Sequence, residues 1–424
     1  MTTVPASPAP AGDATAQPPP RPPHRKLARN VIVLTAVSFL TDVSSEMIYP
    51  LLPVFLGTVL GASATSIGVI EGAAESVAAL LKFASGWWSD HVRRRKPLVV
   101  AGYALASLVR PLVGLAQAAN QVFVIRIIDR IGKGIRASPR DALIADSVDP
   151  RARGKAFGFQ RTGDHAGAVL GPLIAFVLLQ RAGVEMRTVF LLAAIPALLS
   201  VVVVAMGVRE APKQPDTAAA IGAPVVAPAR LRMLGGRFWA VLGVILIFTL
   251  GNSTDAFLLL RAADLGVPIA QIPLLWALLH VVKAGSSTPG GALSDRVGRR
   301  PLLVAGWLLF AAVYFAFGRA TAVWQIWVLF AVYGVYFGLT EGTEKALVAD
   351  LVPASARGTA FGGYNLAISL GALPASVIFG LWWDRVGPRA AFDFGAAMAL
   401  IAAVAVVFVL PRVSRDGGSV VMQS

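Results

Sequence analysis

Apolar residues in this chain come in long blocks rather than in alternation. A first run extends from Val31 to about residue 59, and others lie near 67 to 89, 97 to 117, 121 to 142, 156 to 180 and 187 to 208. Six more follow near 238 to 262, 269 to 293, 301 to 319, 322 to 346, 358 to 384 and 389 to 411. A helix of ~20 residues rising ~1.5 Å each spans the ~30 Å hydrocarbon core of a bilayer. In lipid only a helix or a closed barrel satisfies its own backbone hydrogen bonds. The pattern therefore predicts an all-α membrane protein of twelve transmembrane helices. Its expected layout is a tail at 1–29, a six-helix bundle at 30–208, a polar connector at 209–237, a second six-helix bundle at 238–411 and a tail at 412–424.

Composition strengthens that picture. With 56% hydrophobic residues, 14% charged residues and a mean hydropathy of +0.68, the chain is too apolar for a soluble globule of this size. The 38 Lys and Arg against 23 Asp and Glu would point a soluble protein toward nucleic acid. Here they mark topology instead, and no nucleic-acid partner is expected. Counting end turns with the adjoining loop, most basic residues fall in the tails, the connector and the loops after even-numbered helices, including Lys133, Arg136, Arg140 and Arg161 around the loop after helix 4. The other loops hold Arg181, Arg187, Arg261, Arg319, Arg385 and Arg389, while Lys82, Arg110, Arg126, Arg130 and Lys283 lie within spans. Cytoplasmic loops are the ones enriched in Lys and Arg, which predicts both termini in the cytoplasm and a multi-pass protein of the cytoplasmic (inner) membrane.

The chain has no cysteine, and its four histidines are scattered, so no metal site is expected. The first 20 residues, rich in Pro and Ala, are expected to be disordered. The apolar run from Val31 exceeds the ~7–15 residues of a signal-peptide core and is expected to stay as helix 1. No Gly-x-x-x-x-Gly-Lys-Ser/Thr loop is present, which favours an ion gradient over ATP as energy source and leaves no cofactor implied.

An internal repeat joins the halves. At an offset of 204, Ala142, Leu143, Ala145 and Asp146 meet Ala346, Leu347, Ala349 and Asp350, and Arg153, Gly154, Ala156, Phe157 and Gly158 meet Arg357, Gly358, Ala360, Phe361 and Gly362. Parallel repeats of this kind place a central site between two rocking halves.

Two loops carry a shared motif: GWWSDHVRRRKP at 86–97 and GGALSDRVGRRP at 290–301. An aspartate at a helix end beside an arginine cluster makes contacts that one conformation forms and another breaks. With the chain's length and 6+6 layout, this pattern resembles the signature loop of the major facilitator superfamily. The resemblance implies a gating role, latching the cytoplasmic side, for Asp90, Arg94 and Arg95 and for Asp295, Arg299 and Arg300; the family's loop glycine is Gly298 in the second copy and Arg93 in the first. In helix 5, GDHAGAVLGPLIA at 163–175 repeats glycine every fourth residue, at Gly163, Gly167 and Gly171, before Pro172. A stripe of small residues lets helices approach closely, and proline favours a kink. This run is similar to the family's helix-5 antiporter motif, found in the proton-coupled exporters of the twelve-helix branch, and RIIDRIGKG at 126–134 resembles its helix-4 arginine motif, with Arg126 at the arginine position and Asp129 as a close partner.

Ionisable residues inside spans are costly and mark functional candidates. Asp42 and Glu46 in helix 1, and Glu71 and Glu75 in helix 2, form i, i+4 pairs that each put two carboxylates on one helix face. Glu71 is expected near the outer mouth and solvated. Asp255 is a rough counterpart of Glu46 in helix 7, and Asp164 with His165 offers a second relay in helix 5. Lys82, Arg110 and Lys283 either neutralise these acids or face an anionic substrate. Asn252, Ser253, Thr254, Tyr364 and Asn365 are expected to line the second half.

The reading these features favour is a secondary transporter, acting as a monomer, that exports a small molecule in exchange for protons. The alternative is proton-coupled uptake of an anionic metabolite. A membrane enzyme or receptor is disfavoured, since no nucleophile–base pair or metal cluster is found.

Overall fold

The computed structural model describes residues 28–91, 94–148, 153–209, 234–353 and 356–410, apart from the side chains at 83, 86, 87, 89–91, 153, 154, 357 and 358. Nearly all of the expected N-terminal tail, most of the connector, the C-terminal tail, Arg93 and the side chain of Asp90 thus lie outside the described residues. Among these, twelve helical spans run in order: α1 (Arg29–Val59), α2 (Ala64–His91), α3 (Lys96–Leu115), α4 (Ala119–Asp146), α5 (Arg153–Gln180), α6 (Met186–Gly207), α7 (Gly235–Asp264), α8 (Ile269–Val297), α9 (Arg299–Arg319), α10 (Val323–Asp350), α11 (Arg357–Arg385) and α12 (Pro388–Val409).

Eleven of these are long and apolar enough to cross a membrane. The exception is α4, whose charges from Arg126 to Asp141 dilute its hydropathy. Hydropathy also ends α4, α8 and α10 about one turn too early, because their last charged turns remain helical beyond the apolar block.

The first helix of each bundle is interrupted. In α1, Pro50 and Pro53 lack the N–H that a continuous helix needs, and the chain passes through a tight turn at Tyr49–Leu51 and a wide one at Phe55–Val59. In α7 the helix stops at Gly251, opens over 252–255 and resumes at Ala256. Broken helices at membrane depth are tolerated where they line a cavity.

The repeat is visible in contacts as well as letters. Arg95 at the start of α3 is bonded to Asp146 at the end of α4, and Arg299 at the start of α9 is bonded to Asp350 at the end of α10 (3.2 Å), the same tie 204 positions on. Both ties lie on the terminal face, the one that holds the start of α1 and the end of α12.

The bundles meet along α2/α11, α1/α7 and α5/α8 at the opposite, far face. On α2, the hydroxyl of Ser76 still donates to the carbonyl of Ser369 on α11 (2.8 Å). The bonds Ser76–Ser369 and Glu46–Trp276 join the bundles at mid-depth, and toward the terminal face Gly158, Gly285, Gly291, Gly342 and Gly362 stand beside open space. The fold is closed at the far face and open at the terminal face.

Candidate functional site

Between the bundles lies a cavity of about 520 Å³, lined by α1, α2, α3 and α4 on one side and by α7, α8, α10 and α11 on the other. Its α1 wall carries Asp42 and Glu46. The helix-5 glycines set this wall in place. A Cβ on Gly167 would stand 2.6 Å from the carbonyl oxygen of Phe39 and 2.9 Å from Cβ of Asp42; on Gly171 it would stand 2.6 Å from the carbonyl oxygen of Val43 and 2.9 Å from Cβ of Glu46. Gly163 meets Thr35 in the same way. The stripe before Pro172 is thus the seat on which the acid face of α1 rests. Asp42 makes no side-chain hydrogen bond or ion pair among the described residues, whereas Glu46 accepts from the indole N–H of Trp276 on α8 (2.6 Å) and from Ser45 (3.4 Å). Glu46 is therefore tied across the bundle interface.

Next to it runs a ladder of ion pairs. Arg126 on α4 grips Glu71 on α2 with two bonds, Nε to Oε1 (2.9 Å) and Nη2 to Oε2 (2.5 Å). Asp129 lies 3.7 Å from Arg126 but belongs chiefly to Arg110 on α3 (2.8 Å), and Arg130 pairs with Glu75 (3.0 Å). The expectation of a solvated Glu71 is overturned: it is 2% exposed, because the register of α2 turns it toward α4 and not toward the far mouth. Bidentate charged bonds of this kind are strong and directional. They also carry risk, since stranding one member of a buried pair costs about 3–5 kcal/mol.

One turn further along α4 the pairing stops. Lys133 and Arg136, assigned from sequence to a cytoplasmic loop, line the cavity, because α4 stays helical through them. Arg136 stacks its guanidinium over Tyr103 (4.2 Å to the ring centre) and leaves Nη1 buried; among the described residues that nitrogen has no partner and Lys133 has no ion pair. Sequence reasoning missed both, along with Trp276 and His280. Their signal was present as helical spacing, since 126, 129, 130, 133 and 136 share a face of α4.

On the opposite wall the break in α7 presents Asn252, Ser253, Thr254 and Asp255. Asp255 accepts from the hydroxyl of Tyr333 (2.8 Å), and Lys283 is held by Glu341 (3.3 Å) and by the face of Phe337 (4.1 Å). His280 lines the cavity with both ring nitrogens buried and unpartnered. Tyr364 and Asn365 are not part of the lining: Tyr364 donates to buried Glu344 (2.8 Å), and Asn365 to the carbonyl of Phe361. Asp164 and His165 also stand apart from it, Asp164 accepting from Gln160 (2.7 Å).

The signature-loop arginines hold their own bundles. Arg299 reaches Asp295 (2.6 Å), Ser294 (2.8 Å) and Asp350, while Arg95 reaches Asp146; Arg94 is exposed and Arg300 half-buried. In this terminal-open state neither the Arg95–Asp146 pair nor the Arg299–Asp350 pair crosses from one bundle to the other.

The sequence model of the Major Facilitator Superfamily matches residues 34–282 and 256–421. The chain belongs to the Major Facilitator Superfamily. It is accordingly a transporter of small molecules and not an enzyme, with the superfamily's twelve-helix fold. An uncharacterized superfamily-type transporter of Methanocaldococcus jannaschii is 33% identical, with 91% of this chain and 96% of that one covered. A probable 4-methylmuconolactone transporter of Cupriavidus pinatubonensis is 28% identical over 83% of each chain, and the multidrug resistance protein MdtG of Enterobacter lignolyticus is 24% identical over 89% of this chain and 91% of its own. Among solved structures, a bacterial homolog of the human lysosomal transporter Spinster, inward-facing and unoccupied, shares the fold at a TM-score of 0.70, with 18% identity and 90% and 94% coverage.

Proposed function

We propose that the chain moves a small molecule across the cytoplasmic membrane by alternating access, exporting it in exchange for protons, with both termini in the cytoplasm and the terminal face as the loading side. The supporting observation is the sorting of carboxylates around the cavity. Glu71, Glu75 and Asp129 are engaged by arginines, whereas Asp42, Glu46 and Asp255 are not. Those three can gain and lose a proton without displacing a bound cation. Glu46 is placed to couple that event to the bundle interface, since its carboxylate holds Trp276 of the other bundle. The ladder residues Glu75, Arg126 and Asp129 then shape the cavity beside the proton site. A single chain suffices, because the cavity is built within one copy.

Export draws support from the helix-5 run and from a relative named for multidrug resistance. A second reading, proton-coupled uptake of an anion, is favoured by Lys133 and Arg136, which line the cavity without an ion pair among the described residues, and by a relative named for a muconolactone. In proteoliposomes, a pH jump is expected to drive proton flux that Glu46→Gln reduces at least tenfold with folding intact, roughly the effect of losing one essential proton carrier; unchanged flux would remove Glu46 from the coupling. Accumulation in everted vesicles supports export, and accumulation in right-side-out vesicles with proton entry establishes uptake in its place.

A further inference from the structure

The far-face closure has its own chemistry. The first turn of any helix leaves N–H groups without intrahelical acceptors. At the start of α2, Ser63 satisfies the N–H of Ser66 (3.2 Å) in the ordinary capping manner. The preceding two amides are satisfied from the other bundle: Ala64 donates to Oδ1 of Asp384 (2.9 Å) and Thr65 to Oδ2 (2.8 Å). Asp384 is the penultimate residue of α11, 320 positions away.

For its own helix this aspartate is badly placed, because a carboxylate at a helix C-terminus opposes the macrodipole. The position makes sense only toward α2, whose positive N-terminal end it covers with both oxygens. One turn earlier, Gly380 clears the way: a Cβ there would fall 2.7 Å from the carbonyl oxygen of Ala64. The repeat-equivalent seam is built differently. At the offset of 204 the partner of Asp384 is Gln180, a neutral residue at the end of α5, which with Arg181, Phe176, Gln271 and Leu274 borders an open groove of about 390 Å³ against α8.

We infer that Asp384 is a positioning residue for transport: by capping α2 in trans it holds the far face shut in the terminal-open state, and this bond must break for the far face to open. The inference rests on alternating access, and is independent of direction, substrate and coupling ion. Opening exchanges two charge-assisted hydrogen bonds for bonds to water at the exposed rim, so the closed state is favoured by a cap that the α5/α8 seam, with neutral Gln180 in its place, does not have.

The absence of cysteine allows a direct test. Gln117 and Thr321 are exposed, repeat-equivalent positions in the far-face loops of the two bundles. With spin labels on Gln117→Cys and Thr321→Cys, pulsed electron paramagnetic resonance reads the far-face separation in the full-length chain. Asp384→Asn, an isostere that lacks the charge and keeps only one of the two acceptor oxygens, is expected to raise the population with long separation about fivefold, the effect of losing one net hydrogen bond. Asp384→Glu is expected to bring it back toward the native value, which a merely structural lesion would not do. Should Asp384→Asn fail to purify folded, Ala64→Pro carries the same comparison, since it removes one donor at a helix position where proline is tolerated. Native protein that populates both separations, with the variants populating them in the same ratio, overturns the latch alone. One fixed separation in every variant and at every pH overturns alternating access with it.

Discussion

Around one cavity the two bundles are held together by different forces. In the N-terminal bundle, Glu71, Arg126, Asp129 and Arg110 knit α2, α4 and α3 through buried ion pairs. In the C-terminal bundle the interior is made of rings: Phe248 stacks on Trp307 (4.8 Å between centres), Phe310 on Tyr314 (4.0 Å) and Tyr333 on Tyr336 (5.5 Å). Ion pairs are directional and fail abruptly when one partner is lost, whereas stacked rings lose energy in proportion to the surface removed. A repeat of one fold has thus separated a half whose helices are tied by buried arginine–carboxylate pairs from a half whose interior is tied by stacked rings.

The contrast can be broken experimentally, beginning with the largest effect. Arg126→Leu is expected to destabilise the protein by about 3–5 kcal/mol, since it strands Glu71, and adding Glu71→Leu should recover most of the loss. Thermal unfolding of the single and double variants in detergent checks this; a double variant no more stable than the single one would mean that the pair is not the dominant interaction. Gly167→Ala, which drives a methyl into the α1 backbone beside Asp42, is expected to cost about 1–3 kcal/mol and to lower proton flux with it. In the ring-built half, Trp307→Phe removes the bond to Glu344 and part of the stack on Phe248 and should cost about 1–2 kcal/mol. Replacing Glu344 as well is expected to recover only the share owed to that bond and none of the share owed to the stack. The smallest change is Glu75→Gln: its side chain is 48% exposed and the amide oxygen can still accept from Arg130, so the loss should stay under about 1 kcal/mol in the same melts. A large loss there would extend the buried ladder one rung further.

The spans were legible because a bilayer accepts only long apolar helices, a property that each segment carries on its own. The charged site was legible in part. Asp42, Glu46, Arg126 and Asp129 stand out as costly intramembrane charges, but partners chosen from neighbouring helices do not. Asp129 has an arginine three residues before it and another one residue after it, and still takes Arg110 from α3 as its chief partner. Lys133 and Arg136 were misplaced because hydropathy cannot distinguish a helix that leaves the membrane from one whose polar face turns into a cavity. The Glu46–Trp276 bond spans 230 positions and depends on how the bundles dock, which no local pattern encodes. Asp384 was unreadable for the same reason: alone it is a helix-end acid, and its purpose lies on another helix.

The ladder has a consequence for how such a protein changes over generations. Any single replacement among Glu71, Arg126, Asp129 and Arg110 passes through an intermediate with an orphaned buried charge, so the set resists drift and is exchanged only in concert. Asn252 and His280, on the facing wall, belong to no ion pair among the described residues and strand no charge when replaced. A lineage acquiring a new cargo therefore has an open route on the C-terminal wall and a barred one on the N-terminal wall. Diversity of specificity should accumulate on one side of a cavity whose other side stays the same.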